Sequence, residues 1–214
     1  MQIFSSALSR QPSPTSRIRI GFVGPIKKCW VKTMSNNVRS VEDYDFAVTD
    51  RIFVDANVWM HVYGQSAPDS QVVKLYSGAM QKMLAAHSCL YTDVLVISEV
   101  INRYIRIDMK VPRVGKTYTN FKDFRRSTDF PLAAKGATDI VRRILGATKT
   151  IANGFEEMQV PDLLRDFESG QYDFNDQVIG ILCAREGLTI LTDDADFARC
   201  PAPILTANPR LLRS

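Results

Sequence analysis

The sequence predicts an α/β protein, a three-layer α/β/α sandwich around a parallel sheet. Three observations predict it. From Arg51 onward short apolar strands alternate with segments of helical period. Several strands run straight into an acid: RIFV into Asp55, LYT into Asp93, LTILT into Asp193. The stretch from Asp173 to Phe197, DFNDQVIGILCAREGLTILTDDADF, reads as a buried helix, a one-glycine turn at Gly187, a β-branched strand and an acidic loop. In such units ligands sit off the carboxyl ends of the strands, so the acids stand where chemistry is expected.

The size and charge of the chain bound what it can do. At 214 residues with 45% hydrophobic content it suffices for one domain of ordinary size plus an extension. No apolar run approaches the ~20 residues of a membrane span. Cys29, Cys89, Cys183 and Cys200 show no metal-ligand spacing, and are expected to be reduced core thiols of an intracellular, cytoplasmic protein. The net charge of +4 hides an asymmetry, because residues 1–41 hold seven Lys/Arg and no acid. The body is therefore mildly acidic, and contact with nucleic acid has to be local.

Residues 1–48, rich in Ser, Arg and Pro, are expected to form a basic, disordered or poorly packed extension. Three readings of it stand: a polyanion-binding arm, an organellar targeting segment, or translation from a start upstream of a true start at Met34. The domain is placed at residues 49–214. RIFVD supplies a first strand, followed by the apolar run VWM, and residues 71–86 a crossover helix. LYT is a second strand, with Asp93 capping a helix that runs to about Asp108. On that helix Glu99 heads a polar face with Leu95, Asn102, Arg103 and Arg106, opposite an apolar side. A solvated Glu99–Arg103 pair at i,i+4 is the plainer reading of that face.

Residues 109–130 break the period and are expected to form a long loop or insertion. From Arg103 to Arg126 there are eight Lys/Arg against two acids, interleaved with Tyr118, Phe121 and Phe124. Such a mixture suits a single strand of nucleic acid, although aromatics often only pin a loop to the body. The GKT at Gly115–Thr117 lacks the earlier glycine of a phosphate-binding loop. Residues 131–152 are helical in spacing, with Gly136 and Gly146 permitting close approach. EMQV is expected as a third strand, DLLRDFES as a short helix, LTILT as a fourth strand and PILT at 203–206 as the last.

The acids that face one sheet edge are Asp55, Glu99, Asp176, and Asp194 with Asp196. Asp176 opens a helix that is apolar on nearly every side. A capping role is its plain alternative, weakened because Asp173 or Asn175 can also cap. Carboxylates 4 Å apart repel by about 4 kcal/mol per pair at an effective dielectric of 20, so a cluster either keeps protons or holds a hard cation. Oxygen ligands without matching His or Cys select Mg²⁺ or Mn²⁺. His61 and His87 match no ligand spacing. No Ser/His/Asp or Cys/His set is visible, which leaves a metal-activated water acting on a phosphodiester.

FVDANVWM, SEVINR, FNDQVIGILCAREG and LTDDADF resemble, in order and spacing, the four acidic motifs of PIN-domain ribonucleases, the family that includes the VapC toxins of toxin-antitoxin pairs. The resemblance covers about residues 51–207. It implies a PIN-like fold with a five-stranded parallel sheet and a Mg²⁺-dependent endoribonuclease acting on single-stranded RNA. Asp55, Glu99, Asp176 and Asp194 would be its catalytic and metal-binding carboxylates, Asp196 a further ligand, and Asn57 and Thr192 supporting residues. In a nuclease of this kind Arg103, Arg106 or the basic loop would position the phosphate backbone of the substrate. It also implies an antitoxin partner and a homodimer. The N-terminal extension and the 109–130 insertion depart from the compact toxins, and Asp193 beside Asp194 leaves the fourth carboxylate open by one position. Two other classes compete: a catalytically silent PIN-like module that binds RNA or protein, and a phosphotransferase of the haloacid-dehalogenase type, whose second aspartate would stand where this chain has Asn57.

Overall fold

The computed structural model describes residues 38–64, 69–113 and 117–213. All its strands run parallel. β1 (Val38–Ser40), β2 (Arg51–Val54), β3 (Cys89–Thr92), β4 (Lys149–Thr150), β5 (Thr189–Leu191) and β6 (Ile204–Thr206) form one sheet in the order β1-β6-β5-β2-β3-β4. In β2 the consecutive residues Ile52, Phe53 and Val54 are all fully buried, as are Ile204, Leu205 and Thr206 in β6. Burial of both faces requires a helical layer on each side of the sheet, the three-layer arrangement that alternating strands and helices predict.

The helices are α1 (Ala56–Tyr63), α2 (Gln71–Ala85), α3 (Val94–Met109), α4 (Phe121–Arg126), α5 (Phe130–Ala147), α6 (Val160–Glu168) and α7 (Phe174–Glu186). Their starts follow local chemistry. Asp55, Asp93, Asn120 and Asp173 each accept a backbone N–H of the helix they precede. α7 ends at Gly187, whose φ of 63° is the left-handed conformation a helix C-cap asks of glycine. Trp59, Tyr76, Phe53 and Phe197 are the largest fully buried side chains of the main core.

The structure departs from the sequence reading in four places. The third predicted strand, EMQV, is not a strand: Phe155–Glu157 form a 3₁₀ turn and Val160 opens α6, with a proline in its first turn. The strand that pairs with β3 is Lys149–Thr150, where the predicted helix over 131–152 has already ended at Ala147. β1 lies inside the expected extension, so the sheet has six strands and the folded domain begins by Val38. Residues 1–37 lie outside the described residues. The expected loop at 109–130 contains α4, whose Phe124 is fully buried in a second apolar cluster with Ile105, Ala133 and Ala137. Its aromatics therefore do pin the segment to the body.

Smaller features follow the same logic. A Cβ on Gly136 would overlap the Tyr104 hydroxyl, so α5 approaches α3 closely there, whereas the surroundings of Gly146 are open and it admits no neighbour. Cys89, Cys183 and Cys200 are free, but only Cys183 is buried in the core; the other two are half-buried. Cys29 lies outside the described residues. No described helix is long and apolar enough to cross a membrane.

Candidate active site

The sheet order places β2 between β5 and β3, so the chain leaves β2 toward one side and returns on the other. This is a crossover point of the kind that opens a crevice at the strand carboxyl ends. Asp55 follows β2, and Thr192, Asp193 and Asp194 follow β5. α7 runs back against the strands, which puts the first-turn Asp176 at the same edge.

Asp55 is 5% exposed. One oxygen accepts the Ala56 N–H at 2.6 Å and the other the Thr192 hydroxyl at 2.7 Å. The same Thr192 oxygen accepts from Asn57 Nδ2 at 3.3 Å and from the Asp194 N–H at 3.0 Å. Asn57 and Thr192, expected as supporting residues, thus tie Asp55 to the loop that carries Asp194. Asp194 in turn caps the 3₁₀ turn Ala195–Arg199 by accepting the Asp196 N–H.

Asp173, not Asp176, caps α7, through the Asn175 N–H at 2.8 Å. The Asp176 carboxylate makes no hydrogen bond or ion pair with any described residue. Together with Asp173, Asp196 and Arg199 it lines a narrow cleft. Sequence reasoning missed Arg199, which donates to Gln171 at 2.9 Å and lies over the Tyr172 ring. Only its place three residues past Asp196 could have flagged it.

Electrostatics joins these groups. Burial pushes the Asp55 carboxyl up to about 7, the Thr192 hydrogen bond opposing, with repulsion from Glu99 and Asp194 adding to it. Burial pushes Asp176 up to about 8, and Asp55, Asp173, Asp194 and Glu99 all push the same way. The four expected carboxylates therefore feel one another across four separate elements. Glu99 also carries the plainer contact, an ion pair with Arg103 at 3.1 Å. Among the described residues no group of three or more His, Cys, Asp or Glu is arranged so as to hold a metal ion. The donor set nonetheless fits a hard cation: it is all oxygen, mutually repelling, and includes one half-buried carboxylate with no partner.

Asp193 points elsewhere. Its oxygens take the Tyr76 hydroxyl at 2.9 Å and His61 Nε2 at 3.0 Å, and its N–H donates to Asn57 Oδ1 at 3.1 Å. In extended chain alternate residues share a side, so Thr192 and Asp194 face Asp55 while Asp193 faces α1 and α2. Of the expected substrate contacts, Arg103 and Arg106 are both exposed on α3, and Arg106 touches no described partner.

A family model of the PIN domain matches residues 52–203, most of the chain. The chain belongs to the PIN domain family. PIN domains are generally nucleases and generally use divalent metals. Among solved structures, VapBC2 from Rickettsia felis, bound to a DNA fragment from their promoter, is similar at 13% identity, with 73% of this chain and 97% of that chain covered and a TM-score of 0.46. PAE2754 from Pyrobaculum aerophilum is similar at 15% identity, covering 77% of this chain and 94% of that one, with a TM-score of 0.43. A comparison with curated proteins found no match.

Proposed function

We propose that this PIN domain is a divalent-metal-dependent endoribonuclease that hydrolyses single-stranded RNA, with Mg²⁺ or Mn²⁺ as its cofactor. The observation that carries the reading is the unpartnered, half-buried Asp176 held in mutual repulsion with Asp55, Glu99 and Asp194. Crowding carboxylates in a poorly solvated cleft is costly, and a hard cation offsets that cost. Asp55, Asp176, Glu99 and Asp194 would hold the cation, with Asp196 at the cleft rim. When bound, such an ion supplies a more acidic water and a charge that steadies the departing oxygen. Thr192 and Asn57 fix the direction of Asp55 and the start of the Asp194 loop. Arg103 and Arg106, on the face of α3 that carries Glu99, would meet the phosphates.

A second reading, a module that binds RNA or a protein without cutting, draws on the ion pair that occupies Glu99. Purified protein incubated with single-stranded RNA in Mg²⁺, in Mn²⁺ and in EDTA separates the two. The nuclease reading expects products with either cation, none in EDTA, and none from Asp55→Asn or Asp176→Asn. Cleavage that survives both substitutions and the chelator defeats it, and RNA retention without products at any cation concentration favours the silent module. A toxin role would add an antitoxin, expected as a small DNA-binding protein encoded next to this gene that abolishes cleavage when mixed with it.

A further inference from the structure

The surface cations that have no partner of their own are grouped. Among the described residues, the Lys and Arg side chains that touch no acid, carbonyl, thiol or ring are Arg106, Lys110, Lys122, Arg125, Arg126 and Arg210. Elsewhere the surface cations are engaged: Lys135 and Arg142 share Asp139, Arg165 pairs with Asp162, and Arg185 with Glu157. All but Arg210 of the free ones therefore fall within residues 106–126. A merely solvated face would be expected to show the same pairing as the rest of the surface.

Their placement follows from two helices. At 100° per residue Glu99, Arg103, Arg106 and Lys110 lie within about 40° of one line along α3, a row about 16 Å long that starts at the active-site acid. α4 packs beside the last turns of α3 through Phe124 against Ile105, with Met109 adjoining. The segment is held firmly. Arg113 binds Asp108 and Asp129 and lies over the Phe124 and Tyr118 rings, and Asp123 is bonded by Asn120. Asp108 is thus ion-paired with Arg113 and Asp123 is tied to Asn120, and Lys122, Arg125 and Arg126 are left exposed. Phe121, 44% exposed, shares a face with Arg125 at i,i+4 and meets Phe130 only at a ring edge.

We infer that the row on α3 and the exposed face of α4 form one track for a single-stranded nucleic acid, which runs from the acidic cluster out to the insertion. The cations follow phosphates and Phe121 offers a face to a base. The inference rests on the nuclease reading and deepens it by giving its substrate a length: the track suits a strand of more than about 4 nucleotides, and shorter ones would cover only part of it.

The full chain, kept in EDTA so that nothing is cut, is titrated with fluorescent single-stranded RNA of about 4 and about 16 nucleotides at several salt concentrations. Substitution of Lys122, Arg125 and Arg126 together by Gln is expected to weaken the longer strand by about tenfold or more. It should also flatten the slope of log K against log salt by about 2, near 0.7 per lost phosphate contact. The shorter strand should lose less than the longer one, Phe121→Ala should weaken the longer one with little change in slope, and Lys135→Gln with Arg142→Gln should do nothing. Melting temperatures check that each variant is folded. No binding of the longer strand by the parent, an unchanged slope, or equal losses for both lengths would overturn the track. Absence of cleavage in Mg²⁺ with these binding results intact would instead remove the nuclease reading and leave the track standing.

Discussion

Replacing Asp176 by Asn should stabilise the metal-free protein, and chiefly at high pH. In the folded state this carboxyl is raised to about 8 from an ordinary value of 3.8, because it is buried and faces Asp55, Asp173, Asp194 and Glu99. A raised acid binds its proton more tightly folded than unfolded. Its favourable contribution is therefore complete below about pH 4 and drains away as pH rises toward 8. Each tenfold gain in proton affinity corresponds to about 1.4 kcal/mol, and the repulsion is shared with the neighbouring acids, so we expect removal of this one charge to recover on the order of 2–4 kcal/mol at pH 8. In a domain of this size that is a rise in melting temperature of about 5–10 °C. The assay is thermal unfolding in EDTA at pH 5 and pH 8, repeated with Mg²⁺. The gain at pH 5 should be a small part of that at pH 8, and Mg²⁺ should stabilise the parent more than the variant. A variant less stable than the parent at pH 8, or one with the same gain at both pH values, would refute the electrostatic account of the site.

Other outcomes follow from single contacts. Thr192→Val removes the donor to Asp55 and the acceptor for Asn57 and the Asp194 N–H; it should cost about 1–3 kcal/mol by chemical denaturation, and Thr192→Ser should recover most of it. Asp194→Asn should abolish metal-dependent stabilisation, whereas Asp193→Asn, which stands between Tyr76 and His61, should lower stability and leave the metal response in place; calorimetric titration with Mn²⁺ distinguishes them. Gly136→Ala forces a methyl against the Tyr104 hydroxyl where α5 crosses α3, and should lower stability by about 1–3 kcal/mol, while Gly146→Ala in open space should be neutral or stabilising.

What the sequence made legible was the skeleton of the site, because the signals there are local. A strand that ends in an acid puts that acid at the sheet edge, so Asp55 needed no knowledge of the rest of the chain. The helical row of Glu99, Arg103 and Arg106 was equally open to reading, and the expected Glu99–Arg103 pair is present. The misses share a different cause. β4 is two residues long and takes its strand character from pairing with Tyr91 and Thr92, not from an apolar run of its own. β1, with Val38 as its single apolar residue, exists because β6 offers it a ladder. EMQV had the right composition, but Pro161 favours the first turn of α6 and Val160 is drawn into that helix.

The deeper part of the site was legible only through the family resemblance, for a related reason. Whether a carboxylate is a cap, a surface charge or part of a cation-binding cluster depends on how much water is left around it, and burial is a property of the whole fold. Asp55 and Asp93 both follow a strand, both cap the next helix, and both are raised by burial. Their sequence contexts are nearly interchangeable. Only Asp55 has Glu99 and Asp194 among the groups that raise it, and only Asp55 in turn raises Asp176. β3 carries Asp93 out of that circle because it lies on the far side of β2 from β5, so one strand position in the sheet order decides which of two similar aspartates belongs to the candidate site.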